Sequence, residues 1–248
     1  MPSFTERLHA EEMMDDFSIV DERLEEALKN LRSVNRWLGG YAASMAAMLP
    51  LLRETTERPL RVLDLATGAA DFPDYLVRWA DRHARAVEVV ALDANPATVA
   101  YARQTLDRRL PEHLRPHVRV EVGDALALPY SDGAFDVCVA SLFLHHLDRE
   151  QAVALVREMN RVARHGLVIN DLHRHPLAYY SILALARLLP VSPMFRNDGP
   201  ISVLRGFKLN ELHSIATDAG LRAVRVRWHW AFRWTLSTID PHGWSHDV

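Results

Sequence analysis

The sequence predicts an α/β protein built on a doubly wound, mainly parallel sheet of seven strands. The first observation is a regular alternation of short apolar runs with amphipathic segments between residues 60 and 172. The second is a pair of alternating segments near the end of the chain, "AVRVRWHW" and "FRWTLSTID", which add two strands. Strand–helix alternation of this kind is typical of a parallel sheet that carries helices on both faces.

Five of the strands are predicted from apolar runs rich in β-branched residues. They span residues 60–66, 86–94, 117–125, 134–141 and 165–172. The connecting segments have helical spacing, and we predict helices over residues 72–84, 96–109 and 148–163. Pro73 and Pro96 stand beside the starts of the first two helices, where a proline suits the first turn.

The first 55 residues are predicted to be helical rather than part of the sheet. Leucines recur at helical spacing from Leu24 to Leu38, and Gly39 and Gly40 end this helix. A second apolar helix follows, which we expect to be broken or kinked near Pro50. Since the glycine pair is a candidate hinge, the two helices either close over a binding site as a lid or pack on the sheet as core.

The alternation stops after Leu172. Residues 173–208 contain an apolar helix and a proline-rich passage, and a helix over 209–219 follows. An insertion this late in the sheet is expected to form a wall or lid over a substrate. Its apolar stretch "YYSILALARLL" favours a hydrophobic acceptor, although a homodimer interface would have the same composition.

Composition is that of an ordinary globular enzyme. The chain has 248 residues, of which 49% are hydrophobic and 25% charged, and its net charge of -3 gives no reason to expect a nucleic-acid partner. The single cysteine, Cys138, suits a reducing cytoplasm. The acidic N-terminus has no signal-peptide pattern. The longest apolar run is interrupted by Arg187 and Pro190, so no transmembrane segment is predicted.

Acidic residues at the predicted strand ends indicate the kind of ligand. In an open α/β sheet the ligand lies beyond the carboxyl ends of the strands. The first strand ends near Asp64, and the loop after it contains one glycine, Gly68, before Asp71. A pyrophosphate requires more glycines and a neutral or positive surround. This loop therefore favours a cationic ligand.

The next three strand ends extend the pattern. Asp93 lies 25 residues beyond Gly68, where a carboxylate can accept hydrogen bonds from both hydroxyl groups of a ribose. Asp124 follows the third strand, where it can accept from an exocyclic amine. Ser141 and Leu142 end the fourth strand and are expected to line the reactive end of the ligand. One acid at a strand end is commonly a helix cap or turn residue, but the series favours a binding site.

These stretches resemble the sequence motifs of class I S-adenosylmethionine-dependent methyltransferases. "VLDLATGAADFP" resembles the first motif, with Ala66 and Ala70 in place of two glycines. "LDANP" resembles the acidic second motif, "GDALALPY" the third and "FDVCVASLFLHHL" the fourth. The resemblance is nearest to small-molecule methyltransferases similar to those of quinone biosynthesis.

The resemblance implies a Rossmann-like methyltransferase domain over residues 56–248 with an N-terminal helical lid over residues 1–55. It implies S-adenosyl-L-methionine as cofactor and S-adenosyl-L-homocysteine as product. The acceptor is expected to be a small apolar molecule of phenolic, quinone-like or polyketide-like type, methylated at oxygen or carbon, as in quinone or secondary metabolism. The residues expected to contact the cofactor lie at the four strand ends: Asp64, Ala66, Thr67, Gly68, Asp71, Asp93, Ala94, Asp124, Ala125, Ser141 and Leu142.

A hydroxyl acceptor requires a group that removes its proton, and histidines near the fourth and fifth strand ends are the candidates. His145 and His146 follow the fourth strand, and His173 follows the fifth. Asp171 could orient His173 or act alone. The alternatives are that one of the first pair belongs only to the motif, and that the second pair caps the strand and meets solvent.

Two other functions compete with methyl transfer. An NAD(P)-dependent oxidoreductase would need a glycine-rich loop and a hydride-transfer apparatus, and neither has a recognisable spacing here. A non-catalytic protein that binds S-adenosylmethionine is compatible with every motif. No metal site is predicted, because the thirteen histidines show no paired-ligand spacing with carboxylates.

Overall fold

The computed structural model describes residues 2–54 and 58–241 and contains one seven-stranded sheet. The strands are β1 (Leu60–Leu65), β2 (Val87–Asp93), β3 (Val118–Val122), β4 (Val137–Ser141), β5 (Leu167–Leu172), β6 (Arg225–His229) and β7 (Arg233–Ser237). The α-helices of the described residues are α1 (Glu22–Trp37), α2 (Gly40–Arg53), α3 (Asp71–Arg82), α4 (Pro96–Arg109), α5 (Arg149–Val162), α6 (Pro176–Leu188), α7 (Pro193–Arg205) and α8 (Leu209–Asp218).

The strand order is β3-β2-β1-β4-β5-β7-β6. The first five strands are mutually parallel, and the order reverses between β1 and β4, which places a ligand crevice at their carboxyl ends. The predicted Rossmann-like sheet is therefore confirmed in outline. The sheet is nevertheless mixed, because β7 runs antiparallel to both of its neighbours, β5 and β6.

Both faces of the sheet are covered by helices, which explains why β1 reads as an almost continuous apolar run. Successive side chains of a strand point to opposite faces. Val62 accordingly packs with α2, α3 and α4 in one core cluster. Its neighbour Leu63 packs with α5 and α8 in a second cluster on the other face.

The N-terminal helices follow the predicted boundaries. Gly39 adopts a φ of 72°, a left-handed conformation that suits glycine, and separates α1 from α2. The predicted break near Pro50 is wrong, since α2 continues through this residue to Arg53, and the alternative of a kink there stays a prediction. Met48 of α2 is fully buried against the sheet, so this helix contributes to the core. A lid function of residues 1–55 stays a prediction.

The insertion after β5 is more helical than its prolines indicate. The proline-rich passage forms α7, which starts at Pro193, and Ser192 caps it by accepting from the Phe195 backbone N–H at 3.1 Å. The hairpin of β6 and β7 is confirmed, although its turn contains no glycine. Ala231 and Phe232 take the left-handed conformation there, with φ of 61° and 56°.

None of the helices in the described ranges combines the length and hydropathy needed to cross a bilayer.

Candidate active site

A cleft of about 650 Å³ lies at the carboxyl ends of the central strands. It is lined by residues from all four predicted strand ends, among them Gly68, Asp93, Asp124 and Ser141. Leu28 of α1 forms part of the opposite wall. The structure therefore brings together side chains that are up to 73 positions apart in the sequence, as the topology of a doubly wound sheet requires.

The loop after β1 has an unusual backbone. Ala66, Gly68 and Ala70 all adopt left-handed conformations, with φ of 50°, 55° and 54°. An alanine in this region carries a steric cost that glycine avoids. The positions where the resembling motif has glycines are thus positions that require this geometry. The loop is tied down at its start, because the Thr67 hydroxyl donates to Asp64 Oδ2 at 2.6 Å.

Asp93 is the anchor of the cleft. Its Oδ2 accepts from the Gly68 backbone N–H at 2.9 Å, and its Oδ1 accepts from the Asn95 backbone N–H at 3.0 Å. Each carboxylate oxygen keeps a further lone pair. Asp93 and the exposed Ala94 that follows it both line the cleft. Two hydroxyl groups of a ribose can be accepted here.

Buried carboxylates give the cleft its electrostatic character. Burial raises the pKa of Asp64 to about 7, against the opposing hydrogen bond from Thr67. Burial also raises the pKa of Asp93. Each shift means that the charged carboxylate lacks sufficient positive charge around it in the ligand-free protein. A cation such as the sulfonium and ammonium groups of S-adenosylmethionine would supply that charge, so the residues present fit this cofactor.

Two other predicted acids differ in their surroundings. Asp124 is exposed at the cleft, and its Oδ1 accepts from the Leu126 backbone N–H at 2.8 Å, which leaves Oδ2 for a ligand. Asp71 also lines the cleft, but it pairs with Arg32 at 3.4 Å and with Arg109 at 3.2 Å. Burial nevertheless raises the pKa of Asp71 to about 7, so these two arginines, which the sequence did not single out, only partly balance its charge.

A second cavity of about 400 Å³ adjoins the cleft, and we call it the apolar chamber. It lies between α1, α6, α7 and the β6–β7 turn, and its walls include Val34, Ile182, Leu185, Val203, Trp228 and Phe232. The cleft and the chamber share four lining residues: Met14, Leu31, Leu142 and His146. Leu142 holds a left-handed φ of 55° at this junction. A small molecule in the chamber would thus meet the cleft at Leu142 and His146.

The two histidines after β4 are each oriented by a carboxylate. His145 is buried, and its Nδ1 lies 2.7 Å from Asp171 Oδ1. Burial acts to raise the pKa of Asp171, but attraction to His145 and the hydrogen bond from its ring outweigh burial and lower it. His146 Nδ1 lies 2.5 Å from Asp15 Oδ1. The predicted pairing of Asp171 with His173 is replaced by a pairing with His145, because the loop after β4 runs beside the end of β5.

Acidic residues of the N-terminal segment lie beside these histidines, and they were not predicted from the sequence. Glu12 accepts from the Ser202 hydroxyl at 2.6 Å, and its Oε1 lies 3.4 Å from the Arg205 guanidinium. Burial raises the pKa of Glu12. The stretch "EEMMDDF" carried no signal beyond its acidity, since these contacts join segments about 190 residues apart.

Glu12, His145 and His146 offer ligand atoms that lie within 4.8 Å of one another, the spacing of a group that could hold a metal ion. Arg205 already supplies a cation to the carboxylate of this group. The expectation that the protein binds no metal stays a prediction.

His173 lies apart from the other candidates. It lines a third concavity with Phe4 and Trp234, and its ring centroid is 4.9 Å from that of Trp234. Burial lowers the pKa of His173 to about 4, so the ring is neutral at physiological pH. Of the four predicted proton acceptors, the structure thus brings only His145 and His146 to the wall of the apolar chamber.

Comparison with known proteins identifies the domain. A family model described as "Methyltransferase domain" matches residues 62–166, from within β1 to the residue before β5. A demethylmenaquinone methyltransferase from Thermus thermophilus is 40% identical over 109 residues, which cover 44% of each chain. Residues 62–166 of this chain thus match a methyltransferase domain. The resemblance noted in the four motifs is confirmed.

Further relatives of the methyltransferase domain agree. A demethylmenaquinone methyltransferase from Deinococcus radiodurans is 38% identical over 109 residues, covering 44% of this chain and 40% of the relative. The chain thus spans less than half the length of these two curated relatives. The crystal structure of an S-adenosylmethionine-dependent methyltransferase from Aquifex aeolicus has a TM-score of 0.60 at 21% identity, covering 85% of this chain and 95% of its own. That likeness establishes the fold.

Proposed function

We propose that this protein transfers the methyl group of S-adenosylmethionine to an oxygen or carbon atom of a small apolar acceptor held in the apolar chamber. The observation that carries the proposal is the junction of the two cavities at Leu142 and His146. A polar cleft with unbalanced carboxylates suits the cofactor. A chamber with apolar walls suits a phenolic, quinone-like or polyketide-like acceptor, and the quinone methyltransferases among the relatives support that class.

The cofactor is held in three parts. Asp93 accepts the ribose hydroxyls on the lone pairs that its two backbone contacts leave over. Asp124 accepts from the adenine amine through its Oδ2. The loop from Asp64 to Gly68 holds the methionine portion, with Ala66 and Thr67 as its contacts and Asp71 at its end. The remaining walls of the cleft come from Ala94, Ala125, Ser141 and Leu142. Leu142 also lines the apolar chamber, whereas the other three line only the cleft.

When bound, S-adenosylmethionine supplies an electrophilic methyl group on a sulfonium. The protein aligns the acceptor with it and excludes water, the main requirements of an in-line displacement. His146 accepts the proton of a hydroxyl acceptor at Nε2, because its Nδ1–H is committed to Asp15. His145, held by Asp171, positions the chamber wall behind it.

The proposal also covers a lid, the location of the protein in the cell and its oligomeric state. Within residues 1–55, the part before α2 acts as a lid, and its Met14 and Leu31 border both cavities. We place the protein in the cytoplasm on the basis of its one cysteine, Cys138, which is buried. A homodimer is compatible with the exposed Leu188 and Leu177 of α6.

Turnover tests the proposal. Methyl-labelled S-adenosylmethionine is incubated with the protein and a panel of phenols, quinols and small-molecule extracts, and labelled products are identified by mass. Incorporation that falls 10²–10⁴-fold in His146→Ala, while His173→Ala keeps wild-type activity, is the expected result. Equal activity of both variants would remove His146 as proton acceptor. Cofactor binding without transfer to any member of the panel would favour the non-catalytic binder.

A further inference from the structure

A buried arginine lines the apolar chamber. Arg233 is the first residue of β7, where it pairs in register with Leu172 of β5, and only 1% of it is exposed. Its Nη2 donates to Asn35 Oδ1 at 3.0 Å. Its Nε and Nη1 have no hydrogen-bond partner within residues 2–54 and 58–241. Two charged donors are thus left unused beside an apolar cavity.

Asp171 is the carboxylate that attracts Arg233 most strongly, yet its hydrogen-bonding capacity is used elsewhere. Oδ1 binds the His145 ring and the Leu172 backbone N–H, both at 2.7 Å. Oδ2 accepts from the His145 backbone N–H at 3.2 Å. Arg233 forms no ion pair with any residue in the described part of the chain. Burial lowers the pKa of Arg233 to about 10, so it remains charged at neutral pH.

A buried guanidinium with unused donors is costly and calls for an explanation, and a ligand that accepts from those donors supplies one. We propose that Arg233 binds an anionic oxygen of the methyl acceptor, so that the acceptor is an apolar molecule with a carboxylate or an ionised phenol or enol. This inference rests on the proposed function, because it assigns the chamber to the acceptor. Hydrogen bonds from a guanidinium to a carboxylate or phenolate oxygen are strong in a setting shielded from water.

The carboxylate of S-adenosylmethionine is the other source of an anionic oxygen. Asn35, which holds Nη2 of Arg233, lines the cofactor cleft rather than the chamber. Arg233 itself lines the chamber and not the cleft. This placement favours the acceptor, and the experiment below separates the two sources.

The test compares two probes of the same shape, 2-naphthoate and its neutral amide, 2-naphthamide. Their binding to the full chain is followed by calorimetry and by the fluorescence of Trp228 and Trp230, which line the chamber. Arg233→Met removes the charge at similar length. Arg227→Met, an exposed arginine of β6 opposite Thr235, is the matched control. S-adenosylhomocysteine binding and urea denaturation are measured on every variant.

The wild type is expected to bind 2-naphthoate at least tenfold more tightly than the amide. Arg233→Met should lose this preference, bind S-adenosylhomocysteine as the wild type does, and unfold at an equal or higher urea concentration because an unpaired buried charge has been removed. Arg227→Met should keep the preference. The experiment measures binding and does not depend on methyl transfer. Failure of the Arg233 assignment can therefore be distinguished from failure of the proposed reaction.

Four results would overturn the assignment. The wild type could bind the acid and the amide equally, or Arg233→Met could retain the preference. A tenfold loss of S-adenosylhomocysteine binding in Arg233→Met would assign the guanidinium to the cofactor. A variant that unfolds at lower urea or fails to fold would show that Arg233 stabilises the fold without a ligand.

Discussion

Replacing Asp93 by alanine removes the group on which the cofactor assignment depends most. Its two oxygens each accept one backbone N–H and keep one lone pair for a ribose hydroxyl. A hydrogen bond to a charged group contributes about 1.5 kcal/mol or more, so the two ribose contacts amount to about 3 kcal/mol. That corresponds to about a hundredfold weaker binding. Loss of the tie to Gly68 adds to this, because the loop after β1 is no longer held in place.

Calorimetry with S-adenosylhomocysteine measures this change directly. Glu88→Ala is the matched control, since Glu88 is an exposed carboxylate on the same strand, β2. The control should bind as the wild type does, and urea denaturation of both variants shows whether each is folded. A folded Asp93→Ala protein whose affinity lies within threefold of the wild type would refute the ribose assignment.

Three further predictions follow from the cleft and its neighbourhood. The pKa of Asp64 is 3.8 in the unfolded chain and about 7 in the folded protein, so the free energy of unfolding without cofactor should fall as pH rises from 4 to 7. The affinity for S-adenosylmethionine should rise about tenfold from pH 6 to 8, and calorimetry showing the same affinity at both pH values would contradict this. Ala66→Gly should raise the free energy of unfolding in urea by about 0.5–1 kcal/mol, because glycine adopts the left-handed conformation without the steric cost that alanine carries. The control Ala100→Gly, on the exposed face of α4, should lower it by about 1 kcal/mol. Treatment with a chelator should leave turnover unchanged, since the Arg205 guanidinium and the Ser202 hydroxyl already contact the Glu12 carboxylate. Activity restored only by added Zn²⁺ or Mn²⁺ would contradict this.

The sheet could be predicted because its information is local. The strands β1, β2, β4 and β5 are short, largely apolar runs, β3 alternates valines with charged residues, and the helices between the strands have their own periodicity. The cleft could also be predicted, since a parallel sheet places the carboxyl ends of its strands at one edge, which brings Asp64, Asp93 and Asp124 together.

The chamber could not be predicted, because its chemistry comes from contacts between distant segments. Asp15 meets Arg205 across 190 positions, and Asn35 meets Arg233 across 198. Composition alone does not distinguish these residues from the other polar and charged residues of the chain. The same reason explains why Asp171 contacts His145 rather than the predicted His173. The contact depends on how the loop after β4 lies beside β5 and not on closeness to Asp171 in the sequence.

A crystal structure with S-adenosylhomocysteine bound would show whether the cofactor lies at the strand ends with its sulfur toward the acceptor. We expect the ribose hydroxyls within hydrogen-bond distance of Asp93, the adenine beside Asp124, and the sulfur facing the junction at Leu142 and His146. A molecule bound away from the strand ends, or a sulfur turned away from the apolar chamber, would contradict it.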